Sequence, residues 1–182
     1  MRISVAILQH EHAIIRQALE VLDRAVRNLT EERMPDLREL LEFLVEFVER
    51  FHLAKEEQVF FPLAAAEFPR CKQEVVSIMD AHDRCRELLA DAEKTMEKGG
   101  DALVESVAAL RRYLESHIRM EEERMFPLVD EGLSLAQDER IDQAYLEFMA
   151  PFGDDYHQEA KMLVNDLQHR LLGPGYFDRC IY

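Results

Sequence analysis

A stretch of twelve residues occurs twice, in two similar copies, and constrains the fold of this chain more than any other feature. Residues 52–63 read HLAKEEQVFFPL, and residues 117–128 read HIRMEEERMFPL. Each copy places a glutamate four residues after a histidine, Glu56 after His52 and Glu121 after His117. Four residues are about one turn, so both side chains of each pair leave the same face of a helix. The repeat therefore predicts two related helices, each with a His-x-x-x-Glu pair on one face.

Two further histidines extend the repeat beyond these stretches. His12 and His82 each lie on an apolar stripe of helical spacing, and each is followed four residues later by an arginine, Arg16 or Arg86. We expect these arginines either in surface ion pairs or in contact with groups that surround the histidines. The chain then consists of two helical hairpins, each with one lone histidine and one His-x-x-x-Glu pair. Packed together they predict an all-α fold, an antiparallel up-down four-helix bundle built from two pseudo-repeated hairpins.

The apolar periodicity and the helix breakers predict the helix limits. The expected bundle helices cover about 4–28, 36–61, 71–97 and 101–125, and two appended C-terminal helices cover 138–149 and 153–171. Pro62 and Pro127 should end or kink the second and fourth helices, because proline has no N–H to donate. We therefore predict a bundle over residues 1–130 and, over 131–182, a C-terminal helical extension packed on the same domain, with an irregular terminus at 176–182.

Charge and cysteine usage limit the classes of partner and the compartment. The formal net charge of −15 repels nucleic acid phosphates and anionic lipids, so we expect neither a nucleic acid nor a membrane as partner. The apolar run at the N-terminus is too short for a signal peptide. The three cysteines, Cys71, Cys85 and Cys180, form no CxxC pair and indicate free thiols in a reducing compartment. The expected location is cytoplasmic.

The inward-facing histidines and glutamates predict a metal centre. Burying such groups costs several kcal/mol per ionised group unless partners or metals compensate. A pair of divalent cations would compensate, with imidazoles as terminal ligands and carboxylates as bridges; such ligands suit iron or manganese, and zinc also accepts them. Ferritin-like sites use Glu-x-x-His on two helices, whereas the repeated pair here is His-x-x-x-Glu, with the order reversed and the spacing one residue longer. The predicted metal ligands are His12, His52, Glu56, His82, His117 and Glu121.

These six positions resemble the hemerythrin-like, or HHE cation-binding, domain family. The resemblance also includes the Glu-His-x-x-Ile-Arg sequence around His12 and both Glu-Glu-x-x-x-Phe-Pro-Leu runs, and it covers about residues 4–128. It implies a four-helix bundle that holds two non-haem iron ions joined by an oxo or hydroxo bridge, with manganese or zinc as the alternatives. Family roles that it implies are oxygen binding or sensing, peroxide or nitric oxide chemistry, and repair of iron centres.

One departure from the family narrows the expected function. Oxygen-carrying hemerythrins have two histidines four residues apart on the third helix, whereas Ile78 and Arg86 flank His82 at that spacing here. One metal would then have an open coordination position, which favours reaction with oxygen, peroxide or nitric oxide over reversible oxygen carriage. The alternatives that stay open are iron storage or donation, iron-centre repair, and a dioxygen or redox sensor with no turnover.

Several nearby residues have more than one interpretation. Tyr113 and His157 are candidates to complete the site, although a core tyrosine and a histidine that covers the end of the bundle are the simpler interpretations. Glu57 and Glu122 lie one position off the ligand face, so we expect both in solvent, with Glu122 as a minor rival to Glu121. Cys85 is expected to be a buried, inert thiol. The amphipathic C-terminal helices offer a surface for a homodimer.

Overall fold

The computed structural model describes residues 1–174, and all regular structure in this range is helical. The bundle consists of α1 (Ile3–Arg27), a second rod from α2 (Met34–Leu44) to α3 (Phe61–Glu67), α4 (Lys72–Met96), and a fourth rod from α5 (Gly100–Met120) to α6 (Phe126–Gly132). Helices α7 (Leu135–Met149) and α8 (Tyr156–Leu172) follow. No helix within residues 1–174 combines the length and the apolarity that a membrane span requires. The predicted irregular terminus and Cys180 lie outside the described residues.

The contacts between rods confirm the predicted all-α four-helix bundle. Helix α1 packs against α2 and α5, and α4 packs against α5 and the second rod. Each rod therefore lies beside two neighbours, as in an up-down bundle. The apolar stripes that the sequence predicts face inward, and they form two clusters of buried side chains along the bundle.

The two rods with the repeated motif run through their prolines, so Pro62 and Pro127 do not end these helices, and the expectation that they end them is wrong. A π-helical segment precedes each proline: Glu56–Phe60 in the second rod and Glu121–Met125 in the fourth. In the second rod the N–H of Phe61 donates to the carbonyl of Glu56, five residues earlier. Each proline then stands in the first turn of a new α-helical segment, where its missing N–H needs no partner. The second rod also has a π-helical segment at Val45–Leu53.

Helices α7 and α8 pack against one side of the bundle. The Asp138 carboxylate on α7 accepts hydrogen bonds from the N–H groups of Ile3 at 2.8 Å and Ser4 at 3.2 Å, and so caps the N-terminus of α1. Helix α8 lies against α1 and α2, where side chains such as Val164 and Leu167 join the larger apolar cluster. The division into a 1–130 bundle and a 131–182 extension stays a prediction.

The candidate ligands lie in a layer between the two apolar clusters. On α1, for example, Leu8 belongs to one cluster and Ile15 to the other, and His12 lies between them. The same order holds along the other three rods. The bundle therefore surrounds the polar layer with apolar side chains from both directions, which excludes bulk water from it.

Candidate metal centre

All six predicted ligands meet in this layer, and each is at most 4% exposed. Their ligand atoms form two groups, within each of which the atoms lie within 4.8 Å of one another. The first group contains His12, His52, Glu56 and Glu121, and the second group contains Glu56, His82, His117 and Glu121. Both glutamates belong to both groups. The arrangement thus offers two neighbouring metal positions with two imidazoles each and two carboxylates in common.

The carboxylates face one histidine of each group. An oxygen of Glu121 lies 3.2 Å from Nε2 of His12, and its other oxygen lies 3.2 Å from Nε2 of His117. The Glu56 oxygens lie 3.7 Å from Nε2 of His52 and 3.4 Å from Nε2 of His82. Each glutamate can therefore contribute one oxygen to each metal position, which is what a bridging carboxylate does.

The same atoms lack hydrogen-bond partners, and this tests whether metal ions fit the site. Nε2 of all four histidines and both oxygens of Glu56 and Glu121 are buried without a hydrogen bond. Among the described residues, the other buried side-chain atoms in this condition are Arg2 Nε, His117 Nδ1 and the Tyr145 hydroxyl. Buried polar atoms are rarely left unpaired because doing so costs free energy. Two divalent cations would bind these nitrogen and oxygen atoms together, so the residues present fit such ions.

The pseudo-twofold symmetry extends to the orientation of the rings. The centroids of the His12 and His52 rings are 4.9 Å apart with an interplanar angle of 71°. The His82 and His117 rings show the same separation, 4.9 Å, and the same angle, 71°. The two metal positions therefore have matching pairs of imidazoles.

Glu122 lies beside a ligand rather than in solvent, so the solvent-facing prediction for this residue is wrong. Its carboxylate lies 3.0 Å from Nδ1 of His12, and its side chain is 23% exposed. Arg16 donates to both oxygens of this carboxylate, at 2.8 and 2.6 Å. Arg16 thus orients the group that orients His12. Because Glu122 belongs to neither group of ligand atoms, its placement gives no support to its role as a rival of Glu121.

Glu57 repeats this arrangement at the other lone histidine, and the solvent-facing prediction is wrong here as well. Its carboxylate lies 2.7 Å from Nδ1 of His82, and Arg86 donates to the same oxygen at 2.7 Å. Glu57 lies on the first hairpin and His82 on the second, whereas Glu122 and His12 have the reverse origins. A residue one position off the ligand face points toward the neighbouring rod, where the lone histidine of the other hairpin is found.

The carboxylates change the pKa values of the lone histidines in the metal-free chain. Burial lowers the pKa of His12, but Glu121 and Glu122 outweigh this effect and raise it to about 9. Burial likewise lowers the pKa of His82, and Glu121 with other neighbouring carboxylates raises it to about 11. For Glu122, burial raises the pKa, but His12 and Arg16 bring it down to about 2. A metal ion must therefore displace protons from the histidines, so its apparent affinity depends on pH.

A buried ion pair supports His52, and the sequence analysis missed it. Nδ1 of His52 lies 2.8 Å from an oxygen of Glu11, and the Lys55 ammonium group donates to the other oxygen. Glu11 and Lys55 are both 0% exposed. Each lies next to a ligand in sequence, off the periodic stripe that identified the ligands. One signal in the sequence could have identified Glu11 and Lys55. Each is a charged residue next to a predicted ligand, and the matching position in the other half is uncharged.

The two residues considered for completion of the site have other contacts. His157, on α8, places Nε2 at 2.6 Å from an oxygen of Glu11, so it lies behind His52 and outside both groups. The Tyr113 hydroxyl donates to the carbonyl of Ala81 at 3.5 Å.

Cys85 is buried, and burial raises the pKa of its thiol to about 12, which agrees with an inert thiol.

Comparison with known proteins gives one match. The family model described as the hemerythrin HHE cation binding domain matches residues 4–146. The matched region contains all six predicted ligands and reaches into α7. No curated protein and no solved structure matches the chain.

Proposed function

We infer that this chain, which belongs to the hemerythrin HHE cation-binding domain family, is a non-haem di-iron protein that binds or reacts with oxygen, peroxide or nitric oxide. The observation that carries this proposal is the pair of groups of buried, unpaired ligand atoms that share Glu56 and Glu121. The proposed terminal ligands are His12, His52, His82 and His117, and the proposed bridges are Glu56 and Glu121. Manganese or zinc would use the same residues.

The protein contributes binding, orientation and exclusion of water. The carboxylates beside Nδ1 of His12 and His82 favour the tautomer with a proton on Nδ1, so Nε2 can present its lone pair to the metal. The apolar clusters on both sides keep solvent away from the bridging carboxylates. Two irons bound there would supply redox chemistry and Lewis acidity toward a small molecule.

The surroundings of His82 support reaction with a small molecule over oxygen carriage. The position four residues before it carries Ile78, which is 1% exposed and has no ligand atom. Ile78 lines a cleft of about 260 Å³ between α4 and the fourth rod. Its other lining residues are two methionines and four polar side chains: Met120, Met125, Gln73, Glu74, Ser77 and Arg124. We propose that a small molecule such as oxygen or nitric oxide approaches the second group from this side, because the residue one turn before His82 carries no ligand atom.

A sensing role is the second candidate, and one chain of contacts favours it. His52 contacts Glu11, and Glu11 contacts His157 on α8. A change at the metal centre would thus reach a C-terminal helix through two hydrogen bonds. Storage or donation of iron has less support, because ligands that are at most 4% exposed do not suit rapid release. A cytoplasmic location and a homodimer through the C-terminal helices remain part of the proposal.

The test is the metal content and the visible spectrum of protein reconstituted with ferrous iron under argon. We expect two irons per chain and, after air, an absorption band of an oxo-bridged ferric pair. Peroxide and nitric oxide are then added in separate experiments: repeated consumption indicates an enzyme, and one stable adduct per centre indicates a sensor. Loss of iron to a weak chelator would instead support storage. Failure to bind two metal ions would contradict the proposal.

A further inference from the structure

The two paired histidines are supported differently, although their rings are related by the pseudo-twofold symmetry. Nδ1 of His52 lies 2.8 Å from the Glu11 carboxylate. Nδ1 of His117 is buried and has no hydrogen-bond partner. The two lone histidines show no such difference, since each has a carboxylate within 3.0 Å of Nδ1. The asymmetry is therefore confined to the paired histidines.

The sequence repeat explains why the second half lacks this support. Glu11 directly precedes His12, and the residue that directly precedes His82 is Ala81. Lys55 follows His52 by three residues, and Met120 occupies the matching place in the second copy. An alanine and a methionine can form neither the hydrogen bond to Nδ1 nor the ion pair. The second half thus has no equivalent of Glu11 and Lys55.

The ion pair is built into the side of the bundle that α7 and α8 cover. The Lys55 ammonium lies 4.5 Å from the centroid of the Phe51 ring and 5.1 Å from that of Tyr145, which belongs to α7. His157 of α8 contacts the Glu11 carboxylate from the other side. A buried ion pair gains little over apolar side chains unless its geometry is well satisfied. Here a lysine and two histidines contact one carboxylate, and two aromatic rings lie beside the lysine.

We propose that Glu11 and Lys55 make the two metal positions unequal, so that the first group binds metal first and retains it, and the second group fills last and loses its metal first. The proposal rests on the two-metal function proposed above. A carboxylate on the outer nitrogen of a ligand histidine fixes its tautomer and raises its basicity, and its loss typically lowers metal affinity about 10- to 100-fold. Glu11 and Lys55 are thus positioning residues. The cleft beside Ile78 lies next to the two rods that carry His82 and His117.

The experiment is an anaerobic titration of the full-length metal-free chain with cobalt(II) alone, against a competing chelator. Cobalt(II) has visible absorption that reports its coordination and does not oxidise readily. For the wild type we expect two ions per chain in two classes, whose affinities differ by about 10- to 100-fold. Glu11→Ala combined with Lys55→Met avoids an unpaired buried charge. It should bring the tight class down to the weak one and keep the stoichiometry of two.

Further variants assign each class to its position. His117→Ala should keep the tight class and remove the weak one, whereas His52→Ala should do the reverse. Glu11→Gln with Lys55→Met keeps an oxygen acceptor for Nδ1 but removes the charge, so its tight class should be intermediate. The matched control is Asp23→Ala with Arg111→Met. These residues form an ion pair of 3.1 Å between α1 and α5 on another part of the bundle, and both classes should survive its loss.

The outcomes separate this inference from the function on which it rests. A wild type that binds fewer than two ions overturns both. Two ions of equal affinity in the wild type overturn this inference alone, and so does a tight class that persists in Glu11→Ala with Lys55→Met. If that double variant does not fold, the wild-type and His117→Ala titrations decide, because loss of the tight class in His117→Ala also overturns the inference.

Discussion

The lone histidines His12 and His82 have the same support: a carboxylate from the opposite hairpin contacts each ring, and an arginine from the histidine's own helix contacts that carboxylate. The paired histidines His52 and His117 differ from one another in their support. The matching contacts come from residues inside the repeat: Glu122 with Arg16 in one half, and Glu57 with Arg86 in the other. Because these carboxylates cross between hairpins, neither hairpin can orient its lone histidine without the other. The repeat therefore couples assembly of the bundle to assembly of the site.

The difference between the paired histidines shows that the pseudo-twofold repeat does not determine the surroundings of every candidate ligand. His52 has a buried carboxylate behind it, and His117 has none. The carboxylate belongs to the side that α7 and α8 cover, and these helices have no counterpart in the other half. A symmetric set of ligands has thus acquired asymmetric surroundings through residues outside the ligand pattern.

The largest effect should come from the residues that both halves share. Glu56→Ala or Glu121→Ala removes a carboxylate from both metal positions at once, and the buried histidines lose its compensating charge. We expect bound metal to fall from two ions per chain to nearly none, together with a loss of thermal stability. Metal analysis after desalting measures the first effect. Glu123→Ala is the matched control, since this neighbouring carboxylate is exposed. Unchanged metal content in either variant would contradict the bridging role.

The pH dependence of the metal-free protein should distinguish its two lone histidines. The pKa of His12 is raised from 6.5 to about 9, so its contribution to stability is complete below pH 6.5 and is lost as the pH rises through 9. At about 1.4 kcal/mol per pKa unit this is roughly 3 kcal/mol. His82, whose pKa is raised from 6.5 to about 11, loses its contribution over a wider range, from pH 6.5 up to about 11.

Urea unfolding of the chelator-treated protein at pH 6.5 and at about pH 9.5 measures this loss. The metal-loaded protein is the control, because metal ions have already displaced both protons and the loss should be absent. His12→Gln should remove the share of this loss that His12 contributes and leave the share of His82. A metal-free protein that becomes more stable between these pH values would show that the two lone histidines do not hold protons in the folded state.

The symmetric carboxylates should have equal, smaller effects. Glu122→Gln and Glu57→Gln each remove the charge beside one lone histidine and weaken its arginine contact. We expect each to lower the affinity of its own metal position about 10- to 100-fold, with the other position unaffected. Cobalt(II) titration measures both. Unequal losses would show that the symmetry of the contacts does not extend to their energetics.

The local pattern of the sequence was sufficient to predict the bundle and the convergence of six residues, because helical periodicity places each of them on an inward face. It did not predict the positions of Glu57 and Glu122, since these depend on which rod lies next to each face. Their partners are 25 and 110 residues away in sequence. The presence of a glutamate at this position in both copies was a usable signal, because solvent-facing positions have no reason to repeat.

The ends of the second and fourth helices are another feature that the sequence pattern did not predict. Proline normally ends a helix, and from the sequence alone nothing distinguished Pro62 from such a terminator. In the structure a π-helical segment begins at the proposed ligand Glu56 and changes the hydrogen bonding before the proline. Such segments are frequent at functional sites. The same π-helical segment therefore accounts for two observations. It places a glutamate in the layer of candidate ligands, and it allows the helix to continue past the proline.

The smallest effect is expected for Tyr113→Phe. This variant tests the second group, in which the paired histidine His117 has no hydrogen-bond partner at Nδ1. Tyr113 lies one turn before His117, but its hydroxyl donates to the Ala81 carbonyl over a long 3.5 Å. Loss of so weak a hydrogen bond should change the free energy of unfolding by less than about 1 kcal/mol and leave the visible spectrum of the iron-loaded protein unchanged. Phe61→Leu, beside His82, provides a control of similar size that touches a ligand ring. A charge-transfer band that disappears in Tyr113→Phe would show that tyrosine ligates iron at the second group. An unchanged spectrum leaves a coordination position at the second group free for a small molecule. We expect this open position because the second group lacks a fifth histidine and His117 Nδ1 lacks a hydrogen-bond partner.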